Sequence, residues 1–159
     1  MRELHYDVVI VGCGVGGLYT ALNLPEDKQI LMLSKAELET CVLRDEDDYD
    51  SYFEDTMRAG HYENRKESVD IMIRGSRDVI NDLIGYGVQF ERNEDGSLAY
   101  TKEGAHSKPR ICFHEDITGE EITTHLLSAV KQLKNVTIFE HTTMTDLIED
   151  INHTCVGIL

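Results

Sequence analysis

The 159-residue sequence predicts an α/β layered domain built on a parallel sheet, with an inserted helical and hairpin segment and a small β-pair at the C-terminal end. Three observations carry this. A short apolar run, Val8-Val9-Ile10-Val11, leads directly into a glycine-rich turn and a helical pattern. Strand-like and helix-like segments then follow in the order β-α-β, insertion, α-β and a final strand pair. A hydrophobic share of 41% over this length suffices for one domain with a real core.

The first strand ends in Gly12-Cys13-Gly14-Val15-Gly16-Gly17, which fits G-x-G-x-x-G where a strand opens into a helix. In that pattern the first glycine allows a tight turn and the second lets a pyrophosphate approach the backbone. The third lets helix and strand pack closely. Free N–H groups at the positive end of the helix dipole then face the phosphates. The segment reads as a Rossmann-like dinucleotide site, with Leu18 and Leu22 marking a helix over residues 14–23. Gln29-Ile30-Leu31-Met32-Leu33 is the second strand. An NAD site has an acid at the end of that strand to hold the ribose, but Ser34-Lys35 stands there, and Glu37 and Glu39 come late. Spacing leaves FAD and NADP both open. The expected sheet has residues 6–11 at its centre, flanked by residues 29–33 and 136–140.

Beyond Lys35 the chain turns polar, and Arg44-Asp45-Glu46-Asp47-Asp48 reads as a solvated loop. Two helical patterns follow. Asp50 or Ser51 caps the first, with Phe53, Thr56 and Met57 inward. In the second, Val69, Met72, Ile73, Ser76, Val79, Ile80, Leu83 and Ile84 recur at three- and four-residue steps, and Gly85 or Gly87 supplies the stop. Residues 88–91 and 98–101 flank Asn93-Glu94-Asp95-Gly96 as a hairpin, and Ile111-Cys112-Phe113 is a short strand. Thr118 with Glu121 has the spacing of a capping box before a helix packed through Ile122, Leu126, Leu127, Val130 and Leu133. Residues 136–140 form a strand, and residues 144–148 and 155–159 form the closing pair. The nucleotide-binding core is assigned to residues 1–40 and 118–148, and the inserted segment to 49–117. The apolar ending Val156-Gly157-Ile158-Leu159 suggests an incomplete domain.

A net charge of −15 argues against nucleic acid and against anionic membrane surfaces as partners. No apolar run approaches 18 residues, and the N-terminus lacks a basic segment followed by an apolar one, so neither a membrane span nor a signal peptide is expected. Cys13, Cys41, Cys112 and Cys155 are widely spaced without a C-x-x-C, which disfavours metal and disulfide frameworks. No metal is expected, and the expected compartment is the cytoplasm.

Residues 102–110 gather Glu103, His106, Lys108 and Arg110 around a glycine and a proline. Such a set suits a small acidic substrate, with Arg or Lys for a carboxylate and Glu or His as proton acceptor. An exposed polar loop is the competing reading. His114, Glu115 and Asp116 read as turn chemistry ahead of Thr118, and His61, His125, His141 and His153 as surface residues.

Together the segments 7–18, Leu33-Ser34-Lys35, Lys102-Glu103-Gly104-Ala105-His106-Ser107 and Asp116-Ile117-Thr118-Gly119 resemble the L-aspartate oxidase family. These are flavoproteins in the fold family of succinate dehydrogenase and fumarate reductase. The likeness runs over essentially the whole chain, including residues 50–56 and 143–148. The glycine motif is generic, whereas Glu-Gly-x-His-Ser and Asp-x-Thr-Gly in this order are far more specific. The resemblance favours FAD, because the family's second strand ends in Ser-Lys beside the adenosine. It implies that Cys13, Gly14, Val15 and Gly16 line the pyrophosphate turn, and the motif glycines Gly12 and Gly17 are expected to bind the cofactor with them. Ser34 and Lys35 lie by the adenosine, and Thr143 and Met144 meet the adenine side. Glu103 acts on the substrate amino group or its α-carbon proton. From the polar segment itself, His106 and Arg110 are candidate substrate residues. The implied reaction is hydride transfer from the α-carbon of L-aspartate to the flavin, giving iminoaspartate in NAD biosynthesis. Fumarate or dioxygen takes the electrons, and quinolinate synthase consumes the product.

Two departures from the family stand out. Its Ser- and Gly-rich loop ending in Gln-Gly-Gly is shortened by about ten residues, since Thr40-Cys41 runs directly into Val42-Leu43-Arg44. The family's capping domain and further substrate-binding segments lie beyond this length. Two expectations result: an oxidoreductase portion, or a truncated non-catalytic dinucleotide-binding or interaction module. On the second, the isolated chain would not oxidise L-aspartate.

Overall fold

The computed structural model describes residues 3–34, 48–102, 104 and 106–159. Lys35, Glu103 and most of the acidic run 44–48 therefore lie outside the described residues. Two compact units are present: Met1–Leu38 with Leu126–Leu159, and Glu39–His125.

The first unit holds a parallel sheet of β1 (Val8–Val11), β2 (Ile30–Leu33) and β3 (Val136–Phe139). Helix α1 (Val15–Asn23) joins β1 to β2. Val8 pairs with Ile30 and Ile30 with Val136, so β2 is the central strand. This corrects the expectation that residues 6–11 lie in the middle. A β-α-β pattern makes β1 and β2 parallel neighbours but does not say on which side the third strand adds. Burial in the folded sheet reflects the outcome. All four residues of β2 are buried, as a strand flanked on both sides requires, whereas in β1 Val9 and Val11 remain 38% and 53% exposed. The Asp7 carboxylate accepts from the Gln29 N–H at 2.8 Å, and Asn135 donates to the Lys28 carbonyl, tying the strand starts together. Leu18 and Ala21 of α1 and Ile30 to Leu33 are buried here. A separate antiparallel pair, β4 (Leu147–Glu149) and β5 (Cys155–Ile158), forms the expected closing hairpin.

In the second unit, α2 (Tyr49–Ala59) and α3 (Lys66–Gly85) bury Tyr52, Met57, Val69 and Ile73 against each other, with Tyr49 and Phe53 at the margin. The Tyr49 hydroxyl donates to Asp70, and Arg74 both bonds Asp70 and lies over the Tyr49 ring. The helical periodicity of α3 holds for Val69, Ile73, Ser76, Ile80 and Leu83, which face inward, but Met72, expected on the same stripe, is 45% exposed. Its end is a Schellman motif. Val88 N–H donates to the Leu83 carbonyl and Gly87 N–H to that of Ile84, with Gly87 at φ +99°. The hairpin around Asn93–Gly96 forms through the Arg92–Leu98 bridge, and Ile111 adds to it by pairing with Thr101.

Helix α4 spans Thr118–Val130. Its capping box does not form. Thr118 is the first helical residue, and its hydroxyl accepts from the His114 N–H at 2.9 Å. Glu121 accepts from the Gln89 N–H at 2.9 Å instead of reaching back along its own helix.

Candidate functional site

The glycine turn is built as a cradle for an anion. Gly12 has φ +111°, a conformation that L side chains rarely adopt, and its N–H donates to the Leu33 carbonyl at 2.5 Å. A Cβ at Gly17 would collide with the Gly12 carbonyl oxygen and crowd Ile10, so only glycine lets α1 come this close to β1. A Cβ at Gly16 would meet nothing within 4 Å. Gly14 stands at the N-cap in extended conformation with no side-chain cap, and the first turn holds no acid. The opening N–H groups of a helix have no partner within it; here neither a capping side chain nor a carboxylate competes for them. A pyrophosphate fits that arrangement.

Cys13 is half-buried at the same turn. Burial pushes its thiol above the ordinary range, a hydrogen bond with Ser34 opposes this, and the charge of Glu140 adds to it. The side chain is an uncharged thiol at neutral pH and brings no negative charge to a phosphate site. Ser34 directly follows β2, and Thr143 and Met144 follow β3. Since the three strands are parallel, the glycine turn, Ser34 and this segment all leave the same, carboxyl, end of the sheet. That is where doubly wound sheets bind ligands.

In the second unit, the segment through His106 and Arg110 is fastened to α2 by a closed ionic network. Asp48, Ser51, Tyr52 and Asp55 recur at i, i+3, i+4 and i+7, which puts them on one face of α2. Arg110 is fully buried against that face. Its Nε and Nη2 donate to the two oxygens of Asp48 at 3.1 and 2.9 Å, and Nη2 also to Ser51 Oγ at 3.0 Å. Its Nη1 donates to Asp55 Oδ2 at 2.7 Å and faces His106 Nδ1 at 3.1 Å. A guanidinium has five N–H donors, and here each has an acceptor. Asp55 also accepts from the Ser107 N–H and hydroxyl, both at 2.7 Å, and from Arg58 at 2.7 Å. Asp48 also accepts from Ser51 at 2.6 Å and pairs with Lys108 at 3.2 Å. The Tyr52 ring lies 4.8 Å from the guanidinium carbon and meets His106 edge-on.

Burial raises the carboxyl of Asp48, but hydrogen bonds from Arg110, Ser51 and Lys108 and the charge of Arg110 outweigh it, leaving it at about 2. Asp55 is likewise raised by burial and lowered further by Ser107 and Arg110, ending well below the usual carboxylate range. Asp48 thus belongs to a buried ion cluster and not to a solvated loop: it is 3% exposed. Neither Asp48 nor Asp55 was singled out from sequence. The available signal was an acid at each end of an otherwise inward-facing i, i+3, i+4, i+7 stripe, which a buried cation must answer.

A parallel sheet with a glycine turn running into an uncapped helix N-terminus defines a dinucleotide-binding domain. The chain belongs to the FAD_binding_2 family, described as an FAD binding domain, which matches residues 7–159. FAD is accordingly its cofactor. Among curated relatives, the chain is 45% identical to the L-aspartate oxidase of Clostridium perfringens over 96% of its length, covering 37% of that protein. It is 41% identical to the Clostridium acetobutylicum L-aspartate oxidase over 94% of its length, again covering 37%. The chain therefore spans little more than a third of these relatives. Among solved structures, a mutant E. coli quinol fumarate reductase FrdA superposes with a TM-score of 0.87 at 24% identity, over 95% of this chain and 28% of that one. A quinol-fumarate reductase with bound menaquinol gives 0.84 at 23%, over 94% and 28%. The fold is that of these flavoproteins.

Proposed function

We propose that this chain is the flavin-binding portion of an L-aspartate oxidase, which converts L-aspartate to iminoaspartate. Identity of 45% to such an oxidase over 96% of the chain carries the reading. Identity of this degree across both units favours an oxidoreductase portion over a non-catalytic module. Gly12, Cys13, Gly14, Val15, Gly16 and Gly17 would hold the pyrophosphate of FAD, Ser34 and Lys35 its adenosine, and Thr143 and Met144 the adenine side. Bound there, FAD supplies a two-electron acceptor for the hydrogen leaving the substrate α-carbon. Glu103 acts on the substrate amino group or α-carbon proton, and His106 donates a hydrogen bond to a substrate carboxylate. Arg110 has no donor to spare for substrate and is assigned to holding the segment in place. Fumarate or dioxygen would take the electrons, and quinolinate synthase would use the iminoaspartate. No helix among the described residues is long and apolar enough to cross a membrane, in keeping with the cytoplasmic setting this reading assumes.

The test is a chimera in which this chain replaces the matching portion of the C. perfringens relative. It should retain FAD, and L-aspartate should bleach the flavin absorbance without oxygen. Glu103→Gln in the chimera should slow the bleaching by roughly 10²–10⁴-fold, the usual worth of a general acid or base, while FAD content stays unchanged. A chimera that holds FAD but is not bleached by L-aspartate overturns the reading.

A further inference from the structure

The Arg110 network does more than fasten a segment. An arginine nitrogen can only donate, so an Nη1 facing His106 Nδ1 at 3.1 Å requires Nδ1 to present its lone pair. We propose that Arg110 is a positioning residue for His106, fixing the imidazole as the tautomer whose proton sits on Nε2. The Arg110–His106 contact is itself held rigid. Asp48 grips the guanidinium from one side and Asp55 from the other. Asp55 also takes both donors of Ser107, the residue following His106, so backbone and ring are anchored to the same carboxylate. The Tyr52 ring closes the arrangement, edge-on to the imidazole with centroids 5.7 Å apart.

The electrostatic surroundings agree. The charged groups facing the ring are Arg110 on its own segment and Asp48 and Asp55 on α2. Burial and the Arg110 cation lower the affinity of His106 for a second proton, and together they outweigh the two aspartates, which raise it. The ring is neutral at pH 7.

The chemical consequence rests on the proposed oxidation of L-aspartate. A neutral imidazole with its Nδ1 lone pair engaged cannot take a proton there. At Nε2 it can only donate. Such a group recognises a carboxylate oxygen and rejects an ammonium, so it selects for the acid end of the substrate and leaves proton removal to Glu103. The division of labour between two residues three apart is thus set by a third that touches no substrate.

The direct test is long-range proton–nitrogen NMR on this chain labelled with ¹⁵N-histidine. His106 should show an unprotonated Nδ1 and a protonated Nε2. It should keep that pattern at pH values where an ordinary exposed histidine, titrating near pH 6.5, already takes up a second proton. Arg110→Gln should let His106 exchange between tautomers and titrate in the ordinary range, and Arg110→Lys, which keeps a cationic donor, should restore part of the pattern. A protonated Nδ1 in the unsubstituted chain overturns the proposal, whether or not either variant folds; so does an Arg110→Gln spectrum identical to the parent. The spectrum is independent of the flavin assay above, so a chimera inert toward L-aspartate would sink the substrate reading while leaving the tautomer assignment standing.

Discussion

At position 17 even a methyl group meets the Gly12 carbonyl oxygen, while the neighbouring Gly14 has an extended backbone that any residue adopts. The two glycines should therefore fail differently. Gly17→Ala should lower stability by roughly 1–3 kcal/mol, the range for overpacking a tight contact, and weaken FAD retention through the displaced helix. Gly14→Val should leave urea unfolding nearly unchanged yet cut FAD retention at least tenfold in the chimera, because it places a side chain where backbone meets phosphate. Asp55→Ala poses the opposite problem. It strips Arg110 and Ser107 of a shared acceptor in a buried setting, and leaving one partner of a buried pair uncompensated costs about 3–5 kcal/mol; urea denaturation would show a midpoint shifted accordingly. The glycine turn was legible in the sequence because its chemistry is local, three glycines at fixed spacing after a strand. The Asp48–Asp55–Arg110 network was not, since Asp48 and Arg110 lie 62 positions apart and nothing near Arg110 announces two acids on a helix.

Among the elements, helices were the easiest to read. In α3 the inward residues follow the apolar spacing, and Gly87 ends the helix at a φ of +99°. A Cβ there would also sit 3.0 Å from the His125 ring. Gly87→Ala should consequently cost about 1–2 kcal/mol, the penalty of a left-handed residue with a side chain, and thermal unfolding should register it as a lower midpoint. The start of α4 misled for an equally physical reason. Thr118 and Glu121 have the right spacing for a capping box, but both side chains found backbone N–H groups elsewhere, at His114 and Gln89. Spacing specifies reach, and competing donors brought in by the fold decide which partner is taken. Strand order was hidden likewise, because the choice of edge for β3 depends on packing over the sheet, and β1 and β2 are both unbroken apolar runs.

For the molecule as a whole, charge and the buried acids pull in opposite directions as pH falls. From neutral pH toward the isoelectric point near 4.7, protonation reduces a net charge of −15 and relieves self-repulsion. Asp48 and Asp55 are depressed relative to the unfolded chain, so their contribution is fully present above about pH 4 and is lost as pH falls through their folded values, about 2 for Asp48 and lower for Asp55. Stability measured by urea unfolding should hold or rise between pH 7 and 5 and drop steeply below 4; Asp48→Asn should flatten that acid limb. The central place of β2 has a different consequence, one of timing. Its first partner, β1, precedes it through a single short helix, but its second, β3, is made about a hundred residues later. At the usual pace of translation the open edge of a fully apolar strand waits roughly 5–20 seconds for its mate. During that interval the nascent chain presents Ile30 to Leu33 to whatever else is at hand, so the interval between β2 and β3 is when a chaperone has most to shield.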